Sequence, residues 1–178
     1  MKIGWHRFNI YLSLALAAAV VCGCRTSRES KEKKALSTLR LHLETNRDTS
    51  GFNQAVHIYR AHPFMVNVEK IPFLNESNLS DARVVDVVGG YALRVQFNHA
   101  GSALLEQYTA TNRGKRIAVF CQFGEDLKEV RWLAAPVISR SIGDGVFVFT
   151  PDATREEAEQ IALGLSNDIK QKQTWIDK

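Results

Sequence analysis

The sequence predicts an α+β fold: an antiparallel or mixed sheet with two helices on one face, preceded by short strands. Strand-like alternation recurs along the chain, two runs carry helical spacing, and the second half orders these as strand, strand, helix, strand, strand, strand, helix. Strand pairs followed by a helix, twice over, are the pattern of a ferredoxin-like sandwich. At 178 residues the chain has room for one ordinary domain. With 45% hydrophobic and 24% charged residues it can build a core, which excludes the disordered and collagenous classes. No period of 20–50 residues repeats, so the chain is not a solenoid.

Taken in order, residues 36–44 alternate, with Leu39, Leu41 and Leu43 on one face and Thr38, Arg40, His42 and Glu44 on the other, a half-buried strand. Residues 55–60 and 64–68 read as two short extended pieces divided by His62-Pro63, where the proline disfavours helix. Residues 83–88 and 91–97 flank Gly89-Gly90, and Tyr91, Leu93, Val95 and Phe97 share a face. This spells a hairpin whose primed turn uses glycine's access to positive φ. Residues 98–113 are predicted as a helix with Ala100, Leu104 and Tyr108 on its apolar stripe and Gly114 as its stop. Ile117, Val119, Cys121 and Phe123 alternate as a strand, and residues 131–142 and 146–149 read as extended. The last helix opens with the capping box Thr154/Glu157 and buries Ala158, Ile161, Ala162, Leu165 and Ile169. From residue 170 the chain turns polar and is expected to fray.

The first residues carry an address. Lys2, His6 and Arg7 form a basic start, and residues 10–22 are then apolar except for Ser13, the pattern of a secretory signal. A thirteen-residue helix reaches only ~20 Å, short of the ~30 Å hydrocarbon core of a bilayer. The run ends in Val21-Cys22-Gly23-Cys24, which resembles a bacterial lipobox. That resemblance implies thioether lipidation of Cys24, cleavage after Gly23 and acylation of the new amino terminus, more than one chain on one residue and so a stable anchor. The competing reading is a retained anchor with two incidental cysteines. With Cys22 removed and Cys24 alkylated, Cys121 is the lone thiol and no disulfide framework is available.

Residues 25–34 read RTSRESKEKK, a solvated tether of net +3. Lys2 and Arg7 supply two of the four net positive charges of the whole chain, so the part beyond the tether carries −1. A basic face for nucleic acid is therefore not expected. The divisions that follow are residues 1–23 as lipoprotein signal peptide, 24–35 as lipidated cysteine and charged tether, 36–67 as an N-terminal strand region, 68–169 as the α+β domain and 170–178 as a polar tail.

No constellation makes the chain an enzyme. Cys121 shares its face with Ile117, Val119 and Phe123, which favours an inert core thiol over a nucleophile. His42, His57, His62 and His99 lack ligand spacing to one another or to acids, so no metal site is expected. Glu125-Asp126 and Glu156-Glu157 read as a solvated loop and a helix start. Gly89-Gly90 lacks the third glycine and the helix of a dinucleotide loop, and no cofactor is expected. Trp132 leads the apolar run Leu133-Ala134-Ala135-Pro136, either an exposed recognition edge for polypeptide or a buried strand.

Lys70-x-Pro72-x-Leu74, Leu79-x-x-Ala82, the helix start at Gly101, Thr109-x-x-Asn112-x-Gly114-Lys115, Ile117-Ala118-Val119, Ala135-Pro136-x-Ile138, Ile142-x-x-Gly145 and Glu156-Glu157-Ala158 leading to Leu165 together resemble the head subdomain of the first periplasmic domain of SecD, in the same order over residues 68–165. The resemblance implies an α+β head that contacts translocating polypeptides, here as a module on a lipid anchor.

Two function classes follow. The first is a membrane-anchored envelope lipoprotein with a non-catalytic polypeptide-binding or accessory role in protein export or envelope assembly. The second is a structural envelope lipoprotein without a translocation role. Expected partners are the membrane through the lipid on Cys24, and unfolded or exported polypeptides or Sec components. The expected location is the periplasm-facing bacterial envelope, with Arg25 after the lipidated cysteine favouring the outer over the inner membrane. Mass spectrometry of the native protein is expected to find a diacylglyceryl-modified peptide beginning at Cys24; a chain retaining residues 1–23 or a free thiol at Cys24 would refute lipidation.

Overall fold

Alternation and helical spacing in the sequence become eight strands and two α-helices in the computed structural model, which describes residues 35–46 and 51–176. They run β1 (Thr38–Leu43), β2 (Asn53–Ile58), β3 (Phe64–Glu69), β4 (Leu79–Val87), β5 (Gly90–Phe97), α1 (His99–Thr111), β6 (Ile117–Phe123), β7 (Glu129–Ala134), β8 (Val146–Phe149) and α2 (Arg155–Ile176). Residues 1–34, on which the expected signal peptide, Cys24 and most of the expected tether fall, lie outside the described residues.

The α+β class holds, and every strand pair is antiparallel. The strands divide among three small sheets, β1-β6-β7, β2-β3 and β4-β5-β8, where a single sandwich sheet was expected. Residues 36–67 do not stand apart from the rest. β1 pairs along β6 with Leu39 opposite Cys121, Leu41 opposite Val119 and Leu43 opposite Ile117, which puts the N-terminal strand inside the core of one compact unit, Ala35–Lys178. Its six-residue ladder with β6 is non-local, which is why local periodicity placed the strand but not its partner.

β6 is buried on both faces. Ile117, Val119, Cys121 and Phe123 enter the main core with Leu39, Leu93, Val95, Leu105, Leu133, Ile161 and Leu165. Ala118 enters a second, smaller core formed by Val56, Ile58, Val66, Val68 and Ala135 under the β2–β3 hairpin. Burial alternates along β6 from Val119 onward, and Ala118 is the one position that departs from it by entering the second core.

The β4–β5 hairpin forms with Val87 opposite Gly90, so the two connecting residues are Val88 and Gly89. Of these only Gly89 has positive φ (+88°), which is not the primed geometry expected from a glycine pair. In α1 the buried positions are Gly101, Leu105 and Thr109, and Ala100 is exposed, so the predicted stripe is one residue out of phase. The phase follows from the cap and one close approach. Asn98 accepts from Gly101 N–H at 2.9 Å, and a Cβ on Gly101 would lie 2.9 Å from Asn78 Cβ, so only glycine fits against that turn. Buried Thr109 is satisfied, donating to Leu105 O at 2.7 Å and accepting from Ile142 N–H at 3.0 Å.

The capping box of α2 is present in both directions, with Thr154 N–H donating to Glu157 Oε2 at 2.8 Å and Glu157 N–H to Thr154 Oγ1 at 3.2 Å. The helix continues past residue 170 to Ile176, so residues 170–176 of the expected polar tail are helical. No glycine or proline interrupts this turn, and Lys172 pairs with Asp168 at 2.6 Å across one helical turn.

Cys121 is 0% exposed, and burial pushes its thiol up from the ordinary value. Thiol reagents are therefore expected to label it only at the rate at which the domain opens, and Cys121→Ser is expected to lower stability by ~1–3 kcal/mol by burying an unpartnered hydroxyl. Rapid labelling of the native chain would place Cys121 outside the core.

Candidate functional site

Trp132 sits on the face of β7 turned toward the hairpin. Its ring centroid lies 5.1 Å from that of Phe120 and 5.1 Å from that of His42, both edge-on, and it packs against the second core. It is half-buried, filling the corner between β6, β7 and the hairpin. The edge of β7 beside it is partly closed. Asp152 N–H donates to Leu133 O at 2.7 Å, and the Arg131 guanidinium donates to Asp152 O at 3.2 Å. The geometry thus fits the packed alternative for Trp132 better than an open recognition edge.

That closure is built from charge. Arg131 from β7 makes a bidentate pair with Glu157 of α2, at 2.9 and 3.1 Å, and the guanidinium holds the Glu157 carboxyl below its ordinary range. Arg60 adds a backbone N–H and its Nε to Asp152 Oδ2, at 2.9 and 3.2 Å. Residue 59, just before it, is a tyrosine at φ +63°, a conformation that costs a side-chain-bearing residue ~1–2 kcal/mol.

One open edge belongs to β8, a terminal strand of β4-β5-β8. Phe97 N–H donates to Gly145 O at 2.9 Å, and Phe147 and Phe149 pair with Val95 and Leu93. Residues 145, 147 and 149 therefore turn their main chain toward β5, and Val146 and Val148 turn theirs away. Val146 N–H is taken by Asp144 Oδ1 at 3.0 Å, which leaves Val148 offering both its N–H and its C=O to the open side.

Facing it is the stretch that continues β7. Ile117 N–H donates to Pro136 O at 3.0 Å and Ile138 N–H to Lys115 O at 2.8 Å, so Val137, bridged to Arg116, directs its own main chain away from β6. Two recesses flank this gap. One is lined by Val137, Arg140, Asp144, Val146 and Val148, the other by Tyr59, Val87, Ala92, Ala134 and Phe149, and they share Pro136 and Val148. The result is a groove along β8 whose walls carry exposed apolar side chains: Val137 at 48%, Val148 at 46%, Val87 at 41% and Tyr59 at 40%.

Sequence reasoning missed this groove. The available signal was residues 146–149, apolar at every position in a strand that buries only Phe147 and Phe149. Among the described residues no group of three or more His, Cys, Asp or Glu side chains is placed to hold a metal ion, and no helix is long and apolar enough to cross a membrane.

His42, expected on the polar face of β1, is 5% exposed. Its Nδ1–H donates to Glu69 O at 2.8 Å, and burial lowers its pKa from the ordinary 6.5 despite that bond. As pH falls below that value, the unfolded chain takes up a proton that the folded chain resists until its own lower pKa is reached, so folding weakens across that window. His42→Gln keeps a donor without titrating. The stability advantage of the wild type over this variant is expected to narrow from about pH 7.5 to about pH 5 in urea unfolding; a constant difference would show that His42 does not contribute to acid sensitivity.

Residues 53–168 match the family model for the SecDF P1 head subdomain, beginning in β2 rather than at residue 68 and so taking in the hairpin. Over 95 residues, 53% of this chain, the sequence is 35% identical to the protein translocase subunit SecDF of Thermus thermophilus, and it spans 12% of the length of that relative. Two solved structures are similar in fold, each with a TM-score of 0.54 over 80% of this chain. One, of a membrane component SecDF that enhances protein export, is 23% identical and covered over 67% of its length. The other, SecDF in a super-membrane-facing form, is 22% identical and covered over 20%. With most of its length matched by that family model, and with the sheets and helices described above, the chain belongs to the SecDF P1 head subdomain family.

Proposed function

We propose that this chain is an envelope lipoprotein, held to its membrane through Cys24, whose head domain binds extended polypeptide as a non-catalytic accessory of protein export. The observation that carries the reading is the apolar groove along β8 in a domain of the SecDF P1 head family. A relative of that family enhances protein export, which supports exported polypeptides and Sec components as the partners. The anchor reading rests on the sequence of residues 10–24. Neither nucleic acid nor a cofactor enters this reading. Trp132 contributes by packing the hairpin onto the sheet rather than by touching the client.

Titration of a reduced, unfolded model polypeptide onto the full chain is expected to give weak, saturable binding without turnover. Val137→Lys, which puts a charge on the groove wall at an exposed position, is expected to weaken it ~tenfold, and Trp132→Ala is expected to lower stability first. Absence of binding to any unfolded polypeptide would favour the structural-lipoprotein alternative.

A further inference from the structure

Edge strands in soluble domains are usually blunted by a charge, a proline or a bulge, because unpaired main-chain groups recruit other strands. Residues 146–149 of β8 carry none of these, and Val148 turns its N–H and C=O to the open side. Across the groove Val137 also directs its main chain away from its own ladder, and both residues line the same recess. An extended segment presents N–H and C=O groups alternately to its two sides, so either side of it can pair with Val148. Charge argues for the same occupant. The recess at Tyr59 has no charged residue, and Arg140 and Asp144 in the other recess are of opposite sign, so the groove selects neither an anion nor a cation.

We propose that the groove takes an extended segment of another polypeptide as an added strand on β8, with the main chain of Val148 as its anchor. This rests on the polypeptide-binding reading and adds its mode: the client is read through its backbone, and the apolar walls accept side chains of many kinds.

The test uses the full chain and a Lys-flanked peptide of about ten alternating Val and Ser residues. Three measurements are made: affinity for the peptide, affinity for the same peptide N-methylated at consecutive amides so that neither edge can donate, and hydrogen exchange at the Val148 amide. In the protein, Val148→Pro removes the outward N–H at a position where proline takes no bond from the β5 ladder. Added-strand binding predicts that N-methylation and V148P each weaken binding ~tenfold or more, and that the Val148 amide exchanges ~tenfold more slowly with the unmodified peptide bound. Since N-methylation leaves the protein untouched, the result stands even if V148P fails to fold. Equal binding of plain and N-methylated peptide would overturn strand addition and leave polypeptide binding in place. No binding of any unfolded chain would overturn both. Protection of Val148 that grows with protein concentration in the absence of peptide would assign the edge to a second copy of the chain and overturn the proposal.

Discussion

A single strand that is covered on both faces sets the rest of the structure. Ala118 and Val119 are neighbours in β6, yet one lies in the small core under the hairpin and the other in the main core beneath the helices. Cover on both faces takes water from the main chain where the strand is buried, so β6 requires a partner on each side, and β1 and β7 supply them. The hairpin then has to cover the second face. It does so with Val56, Ile58, Val66 and Val68, and the small side chain of Ala118 lets it approach closely. His42 is drawn inside by the same arrangement, since its strand is the neighbour of β6 and its outer face lies under the hairpin.

Charge organises the boundary of this arrangement. Arg131 emerges from β7 beside the first turn of α2, where Glu157 already serves the capping box, and the bidentate pair ties strand to helix. Asp152, just before the helix, takes Arg60 from the hairpin and gives its own N–H to Leu133 O. The hairpin, the edge of β7 and the start of α2 thus meet at one node. A partly buried pair of this kind is weak evidence for net stability, and its clearer effect is to fix which edge is closed. β8, in the neighbouring sheet, has no such closure along Val148.

What the sequence revealed divides along the same line between local and non-local. The β4–β5 hairpin, β6 and the α2 capping box were legible because each is specified within about ten residues, by alternation or by a cap and its partner three positions on. The phase of α1 was not, because it depends on Gly101 passing within contact distance of Asn78, a residue of another turn. The partition into three sheets, the burial of His42 and the packing of Trp132 depend on pairings such as Leu39 with Cys121, which no periodicity announces. The groove was least visible of all. Its lining comes from residues 59, 87, 134, 136–137 and 146–149, and its chemistry lies in main-chain groups that carry no sequence signal.

If the groove takes a polypeptide as proposed, the start of β8 explains why it would hold that client weakly. Gly145, at φ +68°, lies where a Cβ would come within 1.9 Å of Ser102 Oγ, so the chain can make this turn against α1 only with glycine. The turn brings Asp144 back to cap Val146 N–H, and Gln96 Nε2 donates to Asp144 O at 3.1 Å to hold it there. One of the two outward amides of β8 is thereby satisfied internally, and a guest strand finds a complete main-chain pair at Val148. Two such hydrogen bonds contribute ~1–3 kcal/mol net, against the ~8 kcal/mol that a micromolar complex requires, so the remainder would have to come from apolar contact along the walls. Contact of that kind is non-directional. An extended chain could therefore slip along the groove by steps of two residues, exchanging one pair at Val148 for the next while keeping the same face toward the walls. A site of this kind suits a passing polypeptide better than a resident one.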